Sequence, residues 1–364
     1  MVHEPYLARS KSPLESLPTE IIQEIFLRCL EVNLPRASLH VARALSDPVI
    51  YSWLIRLAFS VAKPGGDDEE DEDERAPFIT RHFLPPYAIV GYIEPAEMVA
   101  LRTQILGCRW CTLPAIRDCQ VKFLSHVSRY IRQDIQIFPD DCHLFNHTRI
   151  EREFENINAQ RMAVDGKLGT ADVTLRANKL FKPPTSGPDF RVGIWFNLGL
   201  VTISLREGLD FSGNRYFELP SCEDTYLPRK LLGPPWTETK LEFFQLLSTK
   251  AILDRDETYA RATRTIQRVI RDRDFPTFMR LLDFWIRVAE HKDPVRFPTR
   301  NPVFKAALKY AEGYDDPFVR VLVEDRWTHI DPDDLRLKER LLAAVSIDYP
   351  PPNIITASGR NYYY

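Results

Sequence analysis

The chain has 364 residues, 44% hydrophobic and 27% charged, which suits folded domains with full cores and excludes a disordered chain. Its net charge is −3, yet residues 67–74 are eight consecutive acids, and removing them turns −3 into +5, so one segment sets the sign. No run reaches the roughly 18 apolar residues of a membrane helix, the first 13 residues hold no apolar signal core, and six cysteines in that setting are expected to be reduced thiols. The expectation is an intracellular protein, cytoplasmic or nuclear, with no membrane partner.

Three short helices are expected between residues 14 and 59. Pro18 suits a first helical position and Glu20 places a carboxylate in the positive first turn, so a helix starts there. Ile21, Ile22, Ile25, Phe26, Cys29 and Leu30 then give it an apolar face about half the helix wide. A second short helix is expected between Pro35 and Leu45. Asp47-Pro48 caps a third, with Val49, Ile50, Trp53, Leu54, Leu57 and Ala58 on its inner face. Helices of about 10 residues cannot bury that much apolar surface among themselves, so part of it must meet another domain or another chain.

The segment Leu14-Glu15-Ser16-Leu17-Pro18-Thr19-Glu20-Ile21-Ile22, followed by Glu24-Ile25-Phe26, resembles the opening of an F-box. Its continuation through Asn33-Leu34-Pro35-Arg36-Ala37-Ser38 and Ala44-Leu45-Ser46 to Tyr51-Ser52-Trp53-Leu54-Ile55 is similar to the form common in filamentous-fungal F-box proteins. Pro35 and Ala42-Arg43-Ala44-Leu45 depart from the leucine-rich second helix of that family. The resemblance implies a helical module that clasps the Skp adaptor of an SCF ubiquitin ligase. It implies adaptor-binding roles for Leu14, Leu17, Pro18, Ile21, Ile22, Ile25, Phe26, Leu39 and Trp53. It also implies a non-enzymatic substrate receptor, without a cofactor, whose body recruits an unknown target protein. The competing reading is a helical-repeat interaction scaffold in which residues 14–59 are the first packed layer. The two differ in whether the apolar faces around Leu17, Ile21, Ile25 and Trp53 are open or are covered by residues beyond 75.

Beyond this module, residues 61–76 read as a solvated acidic linker, because Pro64-Gly65-Gly66 and eight adjacent acids can neither pack nor stay helical. Residues 77–165 read as helical, with core faces at Met98, Val99, Arg102 and Ile105, then at Leu113, Ile116, Phe123, Leu124, Val127 and Ile131. Across residues 166–235 the period changes to two. Strands are expected at 171–177, 190–196, 201–205 and 215–219, with Asn197-Leu198-Gly199 closing a hairpin. Residues 236–348 return to helix. Phe243, Phe278 and Phe318 open similar apolar patterns at offsets of 35 and 40, and residues 301–308 are faintly similar to the first helix of an ankyrin unit. Three amphipathic helices with similar faces is the preferred reading, since the offsets are unequal and the turns lack glycine. Residues 349–364 read as a mobile tail behind three prolines. The expected fold class is α+β, mainly α: a three-helix module, a helical body with a small inserted antiparallel sheet, and stacked helix pairs at the end.

Signatures of catalysis are missing from the sequence: no phosphate-binding glycine loop, nucleophile elbow or zinc-protease helix. Cys108-Arg109-Trp110-Cys111 is half a zinc site. Its second half would come from Cys119, Cys142, His143 and His147, but adjacent Cys142 and His143 do not easily ligate one tetrahedral ion. No metal is therefore expected, and Cys111 and Cys119 are expected to face a helical core. Arg261, Arg264, Arg268 and Arg271 are spaced three, four and three along a helix expected over 256–271, a face that could hold a carboxylate- or phosphate-bearing partner, although a solvated face balanced by Asp254, Asp256, Glu257, Asp272 and Asp274 at its two ends is the preferred reading. Without interleaved aromatic residues the face points away from nucleic acid.

Overall fold

The computed structural model describes residues 12–59, 61–63, 93–122, 135–137, 173–179, 190–197, 200–207, 215–291 and 293–346. The chain divides between Cys222 and Glu223 into two compact units. It is α+β and mainly helical, in agreement with the sequence pattern. The stretches read as linker core (67–74) and tail (349–364) lie outside the described residues.

The first unit opens with a 3-10 turn at Leu14–Ser16, followed by α1 (Thr19–Cys29), α2 (Leu39–Ala44) and α3 (Pro48–Phe59). Pro18 stands one residue before α1 rather than inside it. Leu30, at φ 50°, turns the chain out of α1 while its N–H bonds the Phe26 carbonyl at 2.8 Å. Ser38 caps α2 by accepting from Val41 N–H, and Asp47 accepts from Val49 N–H at 2.8 Å, so polar side chains satisfy the otherwise orphaned donors of both starts. Gln23 Nε2 ties α1 to the end of α2 by donating to the Ala44 carbonyl at 2.9 Å. Ile22, Phe26, Val41, Leu45, Ile50 and Leu54 are buried.

Much of the remaining apolar side of α3 is covered within the same unit. There α4 (Pro95–Gly107) packs on it, and Arg102 Nε donates to the Ala58 carbonyl at 2.5 Å. From α5, spanning residues 113–122, Cys119 Sγ lies 3.5 Å from Ser52 Oγ and Gln120 Nε2 donates to the Leu219 carbonyl at 3.0 Å. Tyr51 stacks on Trp110 at 4.5 Å, and Ser221 N–H bonds the Phe59 carbonyl at 2.8 Å. Cys111 and Cys119 are fully buried, as their core reading expects, and burial pushes the Cys119 thiol up, which leaves it unreactive. Cys142, His143 and His147 lie outside the described residues, as does 123–131 of the helix expected there.

All four expected strands are present, in a six-stranded antiparallel sheet: β1 (Val61–Lys63), β2 (Ile135–Ile137), β3 (Val173–Lys179), β4 (Phe190–Asn197), β5 (Leu200–Glu207) and β6 (Arg215–Leu219), ordered β1-β6-β5-β4-β3-β2. The alternating apolar residues that signalled β4 and β5 are register partners: Val192 with Leu205, Ile194 with Ile203 and Phe196 with Val201. Asn197 pairs with Leu200 around residues 198–199, the expected hairpin turn, which lie outside the described residues. The edges β1 and β2 were not expected, one falling where the linker was read and the other in a segment read as helical. Three residues are too few to carry a period-two signal.

The second unit contains α6 (Glu238–Ser248), β7 (Ile252–Asp254), α7 (Ala260–Arg271), α8 (Phe275–Leu282), β8 (Trp285–Val288), β9 (Val295–Arg296), α9 (Asn301–Tyr310), α10 (Pro317–Arg326) and α11 (Leu335–Ala344). A mixed three-stranded sheet, β7 parallel to β8 and β8 antiparallel to β9, interrupts what the sequence pattern gave as helix alone. Helix α7 packs on α9, and α8 on α10. The turn from α7 to α8 and the turn from α9 to α10 each contain one left-handed residue, Arg273 at φ 57° and Asp315 at φ 64°, followed by an aspartate cap, Asp274 or Asp316, and a proline in the first turn of the next helix. The three phenylalanines of the recurring pattern are buried in α6, α8 and α10.

Arg273 joins the two turns through ion pairs with Asp316 and, at 3.4 Å, with Glu312. Arg273 Nη2 donates to Asp316 Oδ2 at 2.7 Å and Nη1 to the Tyr310 carbonyl at 3.1 Å, while the guanidinium lies 4.6 Å from the Phe318 ring centre. Asp316 also accepts from the N–H groups of Glu312 and Phe318. Burial alone would raise the Asp316 pKa, but Arg273 and the two N–H donors outweigh it and hold the carboxyl below its ordinary value. Asp316→Asn is expected to cost about 2–3 kcal/mol in urea unfolding at neutral pH. A depressed folded pKa contributes stability that is complete above the unfolded carboxyl value of about 3.9 and is lost as pH falls through the lower folded value. The stabilities of wild type and variant should therefore converge in acid, and equal stabilities at neutral pH would show that the pair contributes nothing.

Candidate partner-binding surfaces

Helix α1 is apolar on two sides. Ile22 and Phe26, one turn apart, face the core, whereas Ile21 and Ile25, displaced by about 100° from them, are 41% and 37% exposed. Leu39 opens α2, which packs on both the 3-10 turn and α1, and is 68% exposed. Val49, in the first turn of α3, is 49% exposed. These four are half of the large apolar residues found exposed among the described residues, and they lie on three consecutive short helices. Pro18 is exposed, and Leu14, Leu17 and Trp53 are half-buried. Of the nine residues the F-box resemblance singles out, Pro18, Ile21, Ile25 and Leu39 are thus exposed, Leu14, Leu17 and Trp53 are partly covered, and Ile22 and Phe26 are core. Val49 was not among them, because its position in an apolar run assigns it to an inner face.

The margin of this face is polar. Glu15 accepts from Ser12 N–H at 2.8 Å, and this bond, with the Ser38 hydroxyl, holds its pKa below the ordinary carboxylate value. Arg28 pairs with Glu24 at 2.7 Å one turn away on α1. An apolar centre inside a charged rim is the anatomy of a protein-binding patch. In thermal unfolding, Ile21→Ser and Leu39→Ser are each expected to cost no more than about 1 kcal/mol, whereas Ile22→Ala should cost about 2–5 kcal/mol. Equal losses at all three positions would mean that the outer face is packed.

The second unit carries the arginine-bearing helix, and it splits the four arginines. Asp254, buried at the end of β7, accepts from the N–H groups of Arg261 and Ala262 at 2.7 and 3.0 Å, so α7 begins at Ala260, four residues later than expected. Arg261 then folds back onto the carbonyls of Leu253 and Leu227 at 3.0 and 2.5 Å, and burial lowers its pKa. It is a structural residue. Arg264, Arg268 and Arg271 remain exposed and line one wall of a groove of about 560 Å³, whose other wall is α9 with Lys305 and Lys309. The two lysines went unnoticed in the sequence, although their spacing of four on a helix-forming stretch puts both on one face.

Among the described residues no group of three or more histidine, cysteine or carboxylate side chains is placed to hold a metal ion. No helix among them is long and apolar enough to cross a membrane. No family model matches the chain, and neither a curated protein nor a solved structure does.

Proposed function

We propose that this chain is the substrate-receptor subunit of an SCF-type ubiquitin ligase, in which the N-terminal helices dock on the Skp adaptor and the remainder of the chain recruits a target protein. The observation that carries the reading is the open apolar face of Ile21, Ile25 and Leu39, which falls on the residues that the F-box resemblance marks for adaptor contact. In this reading the module supplies position and no covalent chemistry. The stacked helix pairs α7/α8 and α9/α10 form a repeat-like array, which suits target recruitment.

A stand-alone interaction scaffold is the second reading. It is favoured by the covering of α3 by α4 and α5, which makes the N-terminal helices one layer of a larger unit. The two readings part at the outer face, since a scaffold layer has no reason to leave several large apolar side chains open on one side. On co-expression with a fungal Skp adaptor, the wild-type chain is expected to co-purify with it. Ile21→Ser combined with Leu39→Ser should weaken capture on the order of a hundredfold or more, since central apolar anchors commonly carry about 2 kcal/mol each. Undiminished capture by this double variant, or no capture by the wild type, would refute the receptor reading.

A further inference from the structure

The groove between α7 and α9 has an unusual charge balance. Lys305 pairs with Asp334 at 3.1 Å and Arg271 with Asp272 at 2.9 Å. Arg264 donates to the carbonyl of Ala260, at 3.0 Å, within its own helix. Arg268 has no carboxylate partner among the described residues. Its guanidinium lies so close to Gly233 that a Cβ there would stand 2.6 Å from Nη1, and the Gly233 carbonyl already takes the Lys240 ammonium. Burial and the neighbouring Arg268 charge both lower the Lys240 pKa. Two cations thus crowd one backbone segment. Gln267 Nε2 donates across to the Pro302 carbonyl at 3.0 Å and ties the two walls together, so the groove is fixed rather than improvised on binding.

We propose that this groove is the docking site for an extended acidic segment of a partner protein, which lays carboxylates against Arg264, Arg268 and Arg271 on one wall and Lys309 on the other. The proposal is independent of what the N-terminal helices bind. The spacing fits it: the three arginines are four and three residues apart, rises of about 6 and about 4.5 Å, while alternate side chains of an extended peptide repeat every 6–7 Å or so. Successive carboxylates on one side of such a strand therefore meet successive arginines, whose planar forks bind them with two donors each. Nucleic acid fits less well. The lining holds one aromatic ring, Tyr310, with the Lys309 ammonium over one of its faces at 5.2 Å from its centre, so the groove offers no row of rings on which successive bases could stack. A lipid surface fits less well again, because none of the large apolar residues found exposed lines the groove.

The test is fluorescence anisotropy on the full chain with a labelled peptide of about twelve residues alternating Glu and Ser, a matched peptide with Gln for Glu, and a single-stranded oligonucleotide of equal charge. The Glu peptide is expected to bind at least tenfold more tightly than the Gln peptide, and to lose about tenfold in affinity between low and physiological salt. Arg264→Gln with Arg268→Gln should weaken it at least tenfold. Arg336→Gln with Arg340→Gln, which removes the same charge from exposed positions on α11 outside the groove, should leave binding within about twofold. Equal binding of the two peptides, no binding of the Glu peptide, or equal weakening by the two double variants would overturn the proposal. Tighter binding of the oligonucleotide, lost in the same groove variant, would replace it with a nucleic-acid site.

Discussion

Short helices with apolar residues on two sides impose the constraint from which the first unit follows. A helix of eleven residues, such as α1, has about three turns and buries one stripe against its neighbours, so a second stripe has to be answered from elsewhere. For α3 the answer comes from its own unit. Arg102 and Ser221 donate to the carbonyls of Ala58 and Phe59 at the end of the helix, and Cys119 meets Ser52 nearer its start. For α1 and α2 the second stripe stays in water. A protein that leaves Ile21, Ile25 and Leu39 exposed forgoes a few kcal/mol of burial, and that loss is offset only when a partner covers them.

In the second unit the deciding groups are buried and polar. Asp254 fixes where α7 starts, and the start fixes the rotation of the helix, because each residue advances the face by about 100°. Arg261 is thereby turned onto carbonyls and Arg264, Arg268 and Arg271 onto the groove. At the far end Arg273 leaves the helix in a left-handed conformation and reaches Asp316, so the turn after α7 is locked to the turn before α10. The orientation of the basic face is thus set by two aspartates that do not belong to it.

Periodicity made the long elements legible. The alternation in β4 and β5 located both strands and is reproduced as register pairs, and the apolar spacing located α1, α3 and α4 to within a residue or two. The misses are short or long-range. Strands β1 and β2 have three residues each, and β7 to β9 have two to four, lengths at which neither period can be counted. The two-residue shift in β3 and the four-residue shift at the start of α7 have one cause in common: local propensity cannot register a partner strand, or a cap such as Asp254, that arrives from another element. At the candidate surfaces the sequence named the apolar residues of α1 but could not tell Ile21 from Ile22. Both are isoleucine, and only the direction of the core separates them.

The same limit explains why the arginine pattern was read as a face of four and is a groove of five cations. Spacing along one helix is a one-dimensional property, whereas a groove is made by two helices whose pairing depends on the turns between them. Lys305 and Lys309 join Arg264, Arg268 and Arg271 because α9 lies along α7, and Gln267 holds the walls together through the Pro302 carbonyl. Charge gathered in this way by tertiary packing differs from charge spread over a solvated helix. Each wall lies within a screening length of about 8 Å of the other, so like charges raise one another's cost, and an anion placed between them feels both walls at once. A fixed, one-signed groove on one unit and an open apolar face on the other use different physics, so salt should weaken binding at the groove and leave binding at the face nearly unaffected.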